Sequence, residues 1–210
     1  MKLHTCTGAP SPRRVTAFLA EKGLELEPVE VDLRAGEHMQ EPFCRKNPMR
    51  TVPVLELDDG SCIWETGAIR GYLEESQPEP RLLGSDAAER AGVAMWAYWV
   101  EFSGLVPVMN AFRNATAGFE DRALPGPHPV PQIAALAERG QRRYRQFLED
   151  LDARLADSAY VAGDPFSVAD IDARVTIDFA RQALKMEPPG ELPHLARWNE
   201  RLDQRPAFRQ

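Results

Sequence analysis

The sequence predicts an α/β amino-terminal unit joined to an all-α carboxy-terminal unit. Three observations carry this. Residues 1 to about 76 alternate short strand-like and helix-like pieces. Ser76-Gln77-Pro78-Glu79-Pro80 is a polar, proline-rich break. Beyond it the strand signals stop and helical spacing takes over. The expected organisation is a first domain at 1–77, a linker at 78–85 and a second domain at 86–210.

In the first domain, Lys2-Leu3-His4-Thr5-Cys6 reads as a strand ending at Gly8. Val15, Phe18, Leu19 and Lys22 then recur at helical spacing up to Gly23, a helix stop signal. Pro28 to Asp32 is a second strand, and Val52–Leu57 with Ser61–Trp64 forms a hairpin around Asp58-Asp59-Gly60. A helix follows from about Glu65 to Glu75, with Ile69, Tyr72 and Leu73 on one face. In the second domain, 86–117, 131–156, 168–186 and His194 to Gln204 carry helical periodicity. Ser167-Val168-Ala169-Asp170 has the side chains for a reciprocal capping box, with Asp in place of Glu. Prolines at 125, 127, 129 and 131 place a loop between two of these helices.

Composition narrows the function classes. With 43% hydrophobic and 27% charged residues over 210 positions, the chain is an ordinary globular protein. The formal net charge is −7, without a basic stripe, so neither nucleic acid nor an anionic membrane is an expected partner. Met1 to Thr5 runs into Gly and Pro rather than an apolar segment, and the longest apolar stretch, Ala91 to Val100, is too short to span a bilayer. A soluble, cytoplasmic protein is expected. Cys6, Cys44 and Cys62 have neither disulfide-framework nor metal-ligand spacing. They read as small packed hydrophobes, and no metal is expected.

Four features offer chemistry. Thr51-Val52-Pro53-Val54 opens a strand with a proline, ordinarily an edge device. A cis bond there would instead leave the Val52 N–H and C=O free to pair with an extended ligand. Glu65-Thr66 stands at a strand-to-helix junction; Thr66 alone would serve as a cap. Such a helix end also presents free amides for a carboxylate, and Glu65 beside it suits an ammonium, so the pair fits an α-amino acid head group. Gly8-Ala9-Pro10-Ser11-Pro12 precedes the first helix, either as a turn with Pro near its first position or as an anion site. Pro10 and Pro12 lack N–H groups, which leaves the amides of Ala9, Ser11 and Arg13 and the Ser11 hydroxyl as donors. His38 and Arg50 are either solvated loop residues or a clamp for a second carboxylate.

These pieces, in this order and spacing, resemble the cytosolic glutathione transferases over essentially the whole chain. The marks are Met1-Lys2-Leu3, Leu19 to Leu24, Ala35-Gly36-Glu37-His38, Asn47-Pro48, Thr51 to Leu55, Glu65-Thr66 with Ala68-Ile69 and Tyr72-Leu73, and Val161 to Asp170. The resemblance implies a thioredoxin-like first domain, an all-helical second domain, a homodimer and glutathione as co-substrate. It also implies that Glu65 and Thr66 hold the γ-glutamyl end and that Val52, between Thr51 and cis Pro53, holds the cysteinyl backbone. His38 and Arg50 would take the glycyl carboxylate.

The departure from the pattern concerns the thiol. In serine-type members the activating hydroxyl lies six residues before the hydrophobic residue that here is Val15, and that position is Ala9. The chain is similar to an atypical fungal and bacterial group with Gly or Ala there, which relies on helix donors and a water. That group's polar pair on the long second-domain helix falls at Met109 and Arg113 here, so it is not retained. The remaining candidates for thiolate stabilisation are Ser11, with Arg13 or Arg113 supplying charge. Asn110, Arg113 and Asn114 share a helix face, either as a solvated stripe or as the wall of a second-substrate cleft with Phe112 and Phe119 at its rim. The expected activity is transfer of glutathione to a small, mostly apolar electrophile. The rivals are a glutathione-dependent peroxidase or disulfide reductase, and a non-catalytic ligand binder.

Overall fold

A computed structural model describes residues 1–209. The first half folds as β1 (Lys2–Thr5), α1 (Pro10–Lys22), β2 (Glu27–Glu30), a 3₁₀ turn (Glu37–Met39), α2 (Glu41–Cys44), β3 (Val54–Glu56), β4 (Cys62–Trp64) and α3 (Thr66–Ser76). The sheet order is β2-β1-β3-β4. β1 pairs parallel with β2 and antiparallel with β3, and β3 pairs antiparallel with β4. Gly23 ends α1 because the chain turns there at φ 63°, a left-handed conformation that costs glycine nothing.

The second half is helical: α4 (Ala87–Val100), a π-turn (Glu101–Leu105), α5 (Val106–Ala115), a 3₁₀ turn (Ala117–Phe119), α6 (Ala134–Arg154), α7 (Val168–Leu184) and α8 (Pro193–Leu202). The single periodic segment expected over 86–117 is therefore divided. Pro107 has no N–H for the helical ladder, and just before it the Val106 N–H reaches back five residues to the Glu101 carbonyl. α5 and α6 cross closely at Gly140, where a Cβ would come within 2.4 Å of the Pro107 carbonyl oxygen. At the start of α7 the Ser167 Oγ accepts from the Ala169 N–H, and the Asp170 carboxylate accepts from the Ser167 N–H. Asp170 also accepts from the Val161 N–H and the Trp198 indole. Burial pushes its pKa up to about 6 against those donors.

One contiguous core joins both halves, from Leu3, Val15, Phe18, Leu55 and Ile69 to Tyr144, Phe147, Ile171 and Trp198. Charged groups cross the same boundary. The Asp172 carboxylate on α7 accepts from Arg14 Nε and Nη2 on α1 at 2.7 and 2.8 Å, and from Arg70 Nη1 and Nη2 on α3 at 2.6 and 3.1 Å. Arg14 Nη1 also meets Glu101 at 2.7 Å. Two cations thus face two anions. The proline-rich linker is tied down as well: Lys22 Nζ donates to the Gln77 and Pro78 carbonyls, and Glu74 accepts from the Leu82 and Leu83 amides.

Candidate functional site

The start of α1 is short of donors. Pro10 and Pro12 supply none, the Ala9 N–H donates to the Cys6 carbonyl at 3.1 Å, and the Arg13 N–H donates to the Ala9 carbonyl at 3.2 Å. The expectation that the amides of Ala9 and Arg13 serve a ligand is thereby corrected, because both are spent within the chain. Among the described residues, the Ser11 N–H is the amide left unpaired there, and the half-buried Ser11 hydroxyl also has no partner. The Arg13 side chain is directed elsewhere: Nη2 donates to the Ala207 carbonyl, and the guanidinium lies over Phe208.

Thr66 does not cap its own helix. Its hydroxyl donates to the Ser11 carbonyl at 3.3 Å, and the cap position falls on Glu65, whose side chain makes no capping bond. The capping role that local sequence suggests for Thr66 is thus replaced by a tie between the beginnings of α1 and α3. Because the first ladder bond of α3 runs from Ile69 N–H to the Glu65 carbonyl, the amides of Thr66, Gly67 and Ala68 remain free among the described residues. Glu65 itself is exposed and sits at φ 72° and ψ 128°, a conformation rare for a side-chain-bearing residue and concentrated at ligand sites.

The Val52–Pro53 bond is cis. Among the described residues, neither the Val52 N–H nor its C=O has a partner, so this edge is open to an extended backbone. A residue without an assigned role before now holds the loop. Fully buried Asn47 donates from Nδ2 to the Thr51 carbonyl at 2.8 Å and to the Thr51 hydroxyl at 2.9 Å, while its Oδ1 accepts from the Met49 N–H. The signal for it was Asn before Pro in a loop, the composition of a side-chain-bridged turn. Arg50 follows at φ 56°, half-buried.

His38 lies on the 3₁₀ turn after Gly36, with Nδ1 buried and unpartnered. Burial lowers its pKa, and the positive charges of Arg122, Arg113 and Arg50 lower it further.

The opposite wall differs from its expected layout. Arg113 Nε donates to the Arg122 and Ala123 carbonyls at 3.1 and 3.3 Å, Nη2 donates to the Arg122 carbonyl at 2.7 Å, and the guanidinium sits 4.5 Å from the Phe119 ring centre. These donors fix the loop after α5. Asn114 is buried, accepting from the Ile133 N–H and donating to the Asn110 carbonyl, so it too braces the loop rather than lining a cleft. Phe112, half-buried, packs edge-on against Phe119 and Phe179 at 5.1 and 5.3 Å. Asn110 keeps a half-buried amide and shares a face of α5 with Val106, which is 37% exposed.

Relatives match both halves of the chain. Residues 1–75 match the glutathione S-transferase amino-terminal domain, and residues 134–201 match the glutathione S-transferase carboxy-terminal domain. Glutathione S-transferase 2 of Saccharomyces cerevisiae is 35% identical over 100% of this chain and 88% of its own. Among solved structures, a glutathione S-transferase domain-containing protein of Marinobacter aquaeolei superposes with a TM-score of 0.91 at 37% identity, covering 99% of this chain and 100% of that one. A Gtt2-class glutathione S-transferase of Vibrio parahaemolyticus superposes with a TM-score of 0.84 at 39% identity, covering 100% of this chain and 96% of that one. With both halves matched by domain models and the whole length matched by such relatives, this chain belongs to the glutathione S-transferase family.

Proposed function

We propose that the chain binds glutathione extended along the Val52 edge, ionises its thiol beside Ser11, and transfers it to a small, mostly apolar electrophile. The observation that carries this reading is the bond from Thr66 to the Ser11 carbonyl, which sets the free amides of two helix beginnings side by side. The free amides of α3 suit the γ-glutamyl carboxylate, and Glu65 suits its ammonium. Val52 offers one donor and one acceptor to the cysteinyl backbone, next to Thr51 and Pro53. His38 and Arg50 suit the glycyl carboxylate, which leaves the sulfur for Ser11. Catalysis then consists of positioning plus stabilisation of the thiolate, with Val106 and Asn110 as the second-substrate wall.

The working unit is a cytoplasmic homodimer. Met95, Tyr98 and Phe102 are 59%, 65% and 62% exposed, at spacings of three and four residues along one side of α4 and the turn after it. Sedimentation is expected to give twice the 23.5 kDa chain mass.

Turnover measured with glutathione and either an aromatic halide, a hydroperoxide or a mixed disulfide separates conjugation from its rivals. The expected result is faster consumption of the halide. Faster turnover of the peroxide or disulfide would make this a reductase. Glutathione binding without any turnover and without a shift in its thiol pKa would make it a binding protein.

A further inference from the structure

The two faces of the sheet are unequally held. Alternation along the strands sends Leu3 and Leu55 to the main core and His4, Val54 and Glu56 to the other face. On that face the buried apolar residues form a small cluster of Val31, Phe43 and Val54, with Leu33, Val52, Cys62 and Trp64 packed partly against it. A segment secured by so little apolar burial opens at low cost. Yet Val52, whose N–H and C=O are unpaired, rests against this cluster, and Asn47, Arg50 and Thr51 precede it in the same loop.

A charged cluster supplements the apolar one. Glu56 Oε2 on β3 accepts from His4 Nε2 on β1 at 2.6 Å and from Lys46 Nζ, just after α2, at 2.7 Å. His4 is buried and stands edge-on to Phe43 of α2, with ring centres 6.3 Å apart. The bonds from Lys46 and His4 hold the Glu56 carboxyl down at about 2, so the shared acceptor is ionised near neutral pH. Lys46 directly precedes Asn47, whose Nδ2 holds the Thr51 carbonyl and hydroxyl. The Lys46 and Asn47 N–H groups both donate to the Phe43 carbonyl. The Lys46–Glu56 contact therefore closes a ring of chain that contains Asn47, Arg50, Thr51, Val52 and cis Pro53.

We propose that Lys46 and Glu56 are positioning residues for glutathione, holding the 47–53 loop in the conformation in which Val52 meets the tripeptide. This rests on the glutathione reading above and deepens it: affinity for the tripeptide depends on an ion pair that acts through the loop. His4 fixes the shared carboxylate from the β1 side. The Lys46 and Glu56 side chains are 31% and 23% exposed, so substituting them leaves the buried core intact and the expected effect is moderate.

The test compares full-length wild type, Lys46→Met, Lys46→Arg, Glu56→Gln and the Lys46→Met/Glu56→Gln double variant. Calorimetry with glutathione gives the affinity, and the thiolate ultraviolet band against pH gives the ionisation midpoint of the bound thiol. Lys46→Met and Glu56→Gln are each expected to weaken glutathione about threefold to tenfold while leaving the midpoint in place, because Ser11 on α1 is not disturbed. Lys46→Arg should recover most of the loss, and the double variant should bind about as well as the weaker single one. Unchanged affinity in Lys46→Met, whatever its thermal stability, would overturn the proposal and leave the cluster a structural one. So would a midpoint that rises as affinity falls, which would place the effect on α1, or losses that simply multiply in the double variant. If wild type bound no glutathione, the glutathione reading itself would fall, and the anchor with it.

Discussion

Ser11→Ala is expected to raise the midpoint at which bound glutathione ionises by about one to two units and to slow conjugation at pH 7 about tenfold or more. A free thiol titrates near about 8.5, so useful thiolate at pH 7 needs a fall of about two units, or about 2.7 kcal/mol. The start of α1 contributes about 0.3–1 kcal/mol when exposed and up to ~2 when partly buried. A hydrogen bond to a charged acceptor adds about 1.5–3 kcal/mol. With the Ala9 and Arg13 amides spent and two prolines without N–H, the Ser11 amide and hydroxyl are the donors left for that bonding. Removing the hydroxyl leaves the amide and the helix end, which is why the loss is partial. Rates in the variant should converge on wild type once the pH exceeds the raised midpoint, because the thiolate is then formed without help. The thiolate ultraviolet band followed against pH checks this; an unmoved midpoint removes the side chain from the account.

Asp172→Asn is expected to cost about 3–5 kcal/mol of stability, because it leaves the buried Arg70 without a carboxylate and the buried Arg14 with Glu101 alone. Urea unfolding should show it as a midpoint lowered by more than about 1 M. The pH dependence carries the same signature. Burial opposes ionisation of Asp172, but Arg14 and Arg70 outweigh it and hold the pKa down at about 2. An unfolded aspartate titrates near about 3.9, so between those values the folded state binds fewer protons than the unfolded one. The contribution of Asp172 is therefore complete above about pH 5 and is lost as the pH falls towards 2. The gap between wild type and variant should narrow over that acid range. A constant gap down to pH 2 would mean that the carboxylate charge is not what stabilises the pair. Arg14 lies one turn after Ser11 on α1, so weaker glutathione binding should accompany the loss of stability.

Local chemistry was readable from the chain. Gly23 as a helix stop, the Ser167–Asp170 box and the proline loop after α5 follow from side chains within a few residues of one another. The mixed sheet and the helical second half also follow from periodicity, and the family resemblance implies that the sheet is thioredoxin-like. What escaped were the partners that folding brings from a distance. Arg14, Arg70 and Asp172 are each unremarkable in their own segments and meet only when α1, α3 and α7 pack together. Thr66 looked like a cap because caps are local, yet its hydroxyl answers a carbonyl on α1. Arg113 and Asn114 share a helix face as their spacing requires, but nothing in that spacing reveals that a loop folds back to occupy their donors and acceptors.

A structure of the complex with glutathione tests the central claim most directly. The account predicts backbone pairing of the cysteinyl residue with the Val52 N–H and C=O, and a sulfur within hydrogen-bond distance of the Ser11 amide and hydroxyl. A tripeptide bound elsewhere, or one whose sulfur points to Cys6 or to solvent and leaves both Ser11 donors unused, would contradict it.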